Sequence, residues 1–153
     1  MRVIKDNRII EDDWSRIAVV EPGQAIPADG DLILPFSYWK ENQETLSNRS
    51  GNTAVCLNGD DNIEELAGYL EQFSLIALDF PLFKDGRCYS HARLLRDRYA
   101  YQGDIRAVGD VLRDQLFYMK RCGISSFHVR EDKDIEDALK AFQDFTVKYQ
   151  PAA

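Results

Sequence analysis

The chain has 153 residues, 44% hydrophobic and 29% charged, with a formal net charge of −7. A chain this size hides roughly 70% of the surface its unfolded form exposes, so it can build a core without disulfides or metals. The acidic balance argues against broad nucleic-acid binding, which needs Lys and Arg to neutralise phosphates.

No apolar run approaches the ~20 residues that span a bilayer, and the start MRVIKDNRII lacks the apolar stretch of a signal peptide. A cytoplasmic protein with no membrane contact is therefore expected. In chain order, the first fifty residues read as short-stranded. Residues 2–4 and 8–10 flank Asp6-Asn7 as a hairpin, 17–20 form a strand before a turn-rich stretch, and 32–34 form another. Pro35 can open a helix through Phe36, Trp39 and Leu46, since proline is tolerated in a first helical turn.

From Thr53 the rhythm becomes regular. Residues 54–57 read as a strand, Asn62 as the cap of a helix over 63–73, and 75–80 as a second strand. A helix over 89–101, a strand over 105–108, a helix over 111–122 capped by Asp110, a strand over 126–129 and a helix over 135–149 complete the chain. This alternation predicts an α/β fold in one domain. Four consecutive βα units from about residue 53 form a parallel sheet, half-barrel-like or open and three-layered, behind a short β-rich N-terminal segment. The open edge of the half-barrel version needs a cover, either the N-terminal strands or a second copy of the chain in a homodimer.

Charge is unevenly distributed. Residues 1–83 carry 6 basic and 15 acidic side chains, whereas residues 84–130 carry 10 basic and 5 acidic. Eight of those ten are arginine, the side chain whose planar fork suits carboxylate, sulfate and phosphate. Ligands of parallel α/β folds collect where strand ends lead into helix N-termini. That rule selects Asp79, the loop leading to Arg87, Ser90 and Arg93, then Gly109-Asp110 and Arg113, and finally Arg130 with Glu131. Arg87, Ser90, Arg93, Gly109 and Arg113 are candidate anion-binding residues, and Asp79 and Asp110 are candidates for proton transfer. Each has an ordinary structural alternative: Asp110 as a helix cap, Arg93 paired with Asp97, and Asp79 as an orienting carboxylate. Arg96, Arg98, Arg106 and Arg121 fall at the opposite ends of their elements and read as structural.

Other chemistry finds little support. Cys56, Cys88 and Cys122 are too far apart for a CxxC pair or an iron–sulfur motif, and two histidines with scattered cysteines give no zinc spacing. No metal is expected. The chain has no GxGxxG after a strand and no GxxxxGK[ST], so no nucleotide or nicotinamide cofactor is assigned. Ser90 beside His91 lacks a third partner, His128 reads as a core histidine, and Cys88, next to Arg87, is the thiol most apt to matter.

The run Asp85-Gly86-Arg87-Cys88-Tyr89-Ser90, followed by Ala92-Arg93-Leu94-Leu95-Arg96 and Arg98-Tyr99, resembles a bacterial family of domains of unknown function. The stretch Ile105-Arg106-Ala107-Val108-Gly109-Asp110-Val111-Leu112-Arg113-Asp114-Gln115-Leu116 continues the likeness. The family is labelled a probable oxidoreductase involved in sulfite reduction and is typically encoded beside the sulfite reductase haemoprotein of cysteine biosynthesis. The resemblance is strong from Asp79 to Phe127, looser to Gln150 and faint before residue 50. Cys88 stands where the family pattern has glycine, so a thiol there is no family-wide device. The resemblance implies an accessory protein of assimilatory sulfite reduction, a probable oxidoreductase component or partner of sulfite reductase. The alternative is a free-standing α/β enzyme that binds a small oxyanion or a sulfate- or phosphate-bearing metabolite.

Overall fold

The computed structural model describes residues 1–81 and 86–148, the last four of these by backbone alone. Strands β1 (Arg2–Lys5) and β2 (Arg8–Glu11) form a hairpin around Asp6 and Asn7, whose φ of 53° and 61° are the left-handed values a two-residue turn requires. Strands β3 (Trp14–Arg16), β4 (Asp31–Pro35), β5 (Thr53–Leu57), β6 (Leu75–Phe80), β7 (Asp104–Gly109) and β8 (Ser126–Phe127) pair in parallel, in chain order. The sheet order is β2-β1-β8-β7-β6-β5-β4-β3, with β1 antiparallel to β8.

The α/β fold with a half-barrel sheet is therefore present, with one extension. The parallel part of the sheet starts at Trp14 rather than near residue 53, and the N-terminal segment supplies four of the eight strands of the whole sheet. The strand expected over 17–20 lies a few residues earlier, at Trp14–Arg16.

Right-handed crossovers between parallel strands laid in sequence put every connecting helix on the same side of the sheet. The strand residues follow suit. Leu32, Leu34, Val55, Leu57, Ile76, Leu78, Ile105 and Ala107 face one way and share a core with helix α1 (Phe36–Glu41), α2 (Gln43–Leu46), α3 (Arg87–Arg93), α4 (Leu116–Arg121) and α5 (Ile135–Lys148). The alternating residues Ile33, Ala54, Cys56, Ala77 and Val108 face the other way in a second cluster with Met1 and Trp14. Small side chains there suit the inside of a curl.

Two contacts require that curl. The edge strands β2 and β3 are separated only by Asp12 and Asp13, so both edges of the sheet meet at one place. Arg16 on β3 bridges to Asp79 on β6 at 3.1 Å. Three strand spacings of a flat sheet would put those backbones roughly 14 Å apart, beyond comfortable reach.

Candidate functional site at the mouth of the curled sheet

Asp79 is the penultimate residue of β6, and its carboxylate meets the Arg16 guanidinium across the mouth of the curl. Gly109, at the end of β7, has φ +90°, and a Cβ there would collide with Asp79 Oδ1 and the Phe80 carbonyl. Only glycine lets the Asp79 carboxylate sit where it does. Asp110 accepts from Arg130 Nη1 at 2.8 Å and so does not cap the following helix.

The five anion-binding candidates are not gathered in one place. Arg87 pairs with Asp60, and both Arg87 and Ser90 line a groove shared with Asp61 and Glu64. Arg93 lies 5.9 Å over the Tyr118 ring with Nη2 3.5 Å from its hydroxyl. Arg113 pairs with Asp137 on α5 at 2.7 Å. The loop residues Leu82, Phe83, Lys84 and Asp85 fall outside the described residues.

Ser90 is exposed, whereas His91 is buried with Nε2 3.0 Å from the Asn58 carbonyl. Both line the same groove, but the His91 Nε2 is engaged by that carbonyl rather than by Ser90. Cys88 is 1% exposed, with Sγ 3.3 Å from the Asp79 carbonyl oxygen. Its thiol packs behind the strand that carries Asp79. Burial pushes the Cys56 thiol up to about 12, against the opposing charge of Arg16, so it stays protonated.

A cavity of about 600 Å³ opens between β3 and the turn after β8. Arg2, Arg16, Arg130 and Lys133 line it against one carboxylate, Glu131, on a chain whose overall charge is −7. The cations differ in what they have left to give. Arg130 is held by Asp110 and bidentately by Asp132, and Arg2 pairs with Glu136. Arg16 makes its ion pair through Nη2 alone, and its Nε is buried with no hydrogen-bond partner. Lys133 has no carboxylate within 4.0 Å among the described residues.

His128, also on the lining, is held mainly neutral. Burial lowers its pKa, the charges of Arg106 and Arg16 add to that, and Glu131, 4.0 Å away, opposes it. Trp14, Val129 and Ile135 give the same cavity apolar walls. A neutral imidazole can donate its one N–H to a bound oxyanion, and the cations supply attraction.

Arg130 is placed at a strand end as the sequence implies, but Arg16 and His128 are additions. Arg16 is missed because the strand expected over 17–20 begins just past it, whereas β3 spans Trp14–Arg16. His128 follows β8, and in-register pairing of Ala107 with Phe127 sets it beside Val108 on the concave face. An alternation count along residues 126–129 carries that signal.

Among the described residues no group of three or more His, Cys, Asp and Glu is arranged to hold a metal ion, and no helix is long and apolar enough to cross a membrane. No curated protein matches the chain. The family model described as bacterial protein of unknown function (DUF934) matches residues 54–153, about two thirds of the chain and strands β5 to β8, four of the eight, and the chain belongs to that family.

Proposed function

We propose that the protein is an accessory component of assimilatory sulfite reduction, acting in the cytoplasm with the sulfite reductase haemoprotein in cysteine biosynthesis. The observation that carries the reading is the cationic mouth of an otherwise acidic chain, with Arg16 and Lys133 facing a cavity at the strand ends where α/β proteins bind ligands. Sulfur oxyanions suit such a receptor. The likeness of residues 85–116 to the family labelled for sulfite reduction supports the pathway. An accessory role asks for no resident redox group, and the oxidoreductase label then belongs to the assembly.

Size-exclusion co-elution with the sulfite reductase of the same organism, at physiological salt so that weak charge attraction is screened, tests the proposal. A shared peak and faster sulfite turnover when this protein is added are expected. Separate peaks together with unchanged turnover would sink it.

The Arg16–Asp79 pair favours a second reading. A carboxylate held beside a guanidinium at a strand end is suited to proton transfer on an anionic metabolite, which would make the chain an enzyme by itself. That version predicts ligand-induced thermal stabilisation without any partner, reduced in Arg16→Gln.

A further inference from the structure

We infer that the mouth receives an oxyanion carried on an organic body, a sulfate or phosphate ester with a flat or apolar portion, rather than a bare inorganic ion. The inference rests on reading the mouth as an anion site. Size is the first argument. A five-atom oxyanion displaces two or three waters, roughly 60–90 Å³ at ~30 Å³ per water. The cavity measures about 600 Å³ and leaves most of its space unaccounted for by such an ion. Cavities of roughly 300–1,000 Å³ are the usual size for ligands of metabolite dimensions.

The lining is the second argument. A receptor for an inorganic ion is polar all round, whereas here Trp14, Val129 and Ile135 stand in the same wall as Arg16 and Lys133. Trp14 and Arg16 are alternate residues of β3 and project to the same concave side, so an indole plane lies one pleat from a guanidinium. That pairing suits a flat group stacked on the ring while its oxyanion meets the cation.

The distribution of free donors is the third. Arg130 is already engaged by Asp110 and Asp132, so it contributes potential more than contacts. Arg16 makes a single ion pair, through Nη2, and Lys133 has no carboxylate partner among the described residues. Two cations with spare capacity suffice for one oxyanion terminus and leave the apolar wall to the body.

Calorimetric titration of the full chain with inorganic sulfate, inorganic phosphate, 4-nitrophenyl sulfate and adenosine 5′-monophosphate decides the matter. At least one ester should bind about ten-fold more tightly than its inorganic counterpart, the scale of one good stacking contact. The preference between the two esters reports which oxyanion the site takes. Trp14→Ala should erase the ester's advantage and leave the ion's affinity alone. Lys133→Ala, at an exposed position that does not threaten folding, should weaken ester and ion together.

Equal affinities for ester and ion overturn the inference, as does ester binding unchanged in both variants. No heat from either ester, with the circular dichroism of the folded chain intact, also overturns it. Absent ester binding with a retained effect on sulfite reductase turnover rejects this inference alone. Ester binding with no effect on that enzyme rejects the accessory role alone.

Discussion

Arg106 sits mid-strand in β7 with 1% of its surface exposed, a position that one charged residue alone could not occupy. Its partners make it tenable. Nε donates to Ser126 Oγ at 2.8 Å and Nη2 reaches Asp12 at 2.6 Å and Asp104 at 3.3 Å. Burial pulls the Asp12 pKa upward, but hydrogen bonding and charge from Arg106, the Trp14 backbone N–H and the N-terminal amine together hold it below its ordinary value. Arg106→Met should cost about 3–5 kcal/mol, the scale for breaking a buried pair and stranding its carboxylates. Urea unfolding monitored by circular dichroism would measure the loss. A change below half of that would mean water or Lys5, which lies 3.5 Å from Asp104, takes over the role.

His128 supplies the pH dependence. Its folded pKa is lowered from 6.5, so below pH 6.5 the unfolded chain takes up the proton before the folded one. Stability is thus complete above the unfolded value and falls as pH drops from there toward the lowered folded pKa. In thermal melts the Tm of wild type should fall relative to that of His128→Gln as pH drops from neutral through this window, because the variant lacks the titrating group and declines less steeply. Identical slopes would remove His128 as the titrating group. Neither role is legible from residue type alone. A lone arginine in a strand and a lone histidine after one become interpretable only when the opposing strands are known.

Local patterns at the level of elements were far easier to read. The hairpin over Asp6-Asn7, the strands β4 to β8, the Asn62 cap and the closing helix all follow from turn residues and apolar spacing. The expected helix over 63–73 is instead two 3-10 segments, Ile63–Glu65 and Ala67–Gln72. Ile63, Leu66 and Tyr69 face the core at intervals of three, which a three-residue turn aligns better than an α-helix does. Likewise the helix expected over 111–122 is α-helical only from Leu116, preceded by a 3-10 turn, because Asp110 is committed to Arg130 and Leu112 is extended.

The entry to β4 and β5 depends on a side chain that no periodicity marks. Arg49 donates to the carbonyls of Pro27, Asp29, Gly30 and Asn52 and to Thr53 Oγ1. It binds the turn-rich stretch before β4 to the start of β5. Arg49→Ala should leave global stability within about 1–2 kcal/mol of wild type, since the site is only half-buried and each bond contributes roughly 1 kcal/mol or less. Amide exchange at residues 28–31 and 50–53 should nevertheless accelerate, as local opening there no longer breaks the clamp. Unchanged exchange would show that the strand pairing of Leu32 with Thr53 suffices without it.

At the scale of the whole molecule, the family match begins at residue 54, but the sheet does not. Strands β1 to β4 and their links precede that point, and they provide Asp12 to Arg106 and Arg16 to Asp79. A chain starting at residue 54 would expose β5 as a raw edge and leave Arg106 without one of its carboxylates. It should show no cooperative urea transition, whereas the full chain should unfold in one step. A sharp transition in the shorter chain would mean that the C-terminal units form a folding unit by themselves.

The order of strands and helices, the inward and outward alternation along each strand and the concentration of arginine after residue 84 were determined by the sequence itself. Those features are local, set by side-chain period, turn chemistry and composition. Which carboxylate each arginine meets was decided only by the tertiary structure. The joining of both sheet edges through Asp12-Asp13 forces the curl, and the curl brings Arg16, His128 and Lys133 around one cavity while Arg87, Arg93 and Arg113 find partners elsewhere. Long-range closure of this kind leaves no periodic trace in a single chain, because it depends on where strands distant in sequence come to rest in space.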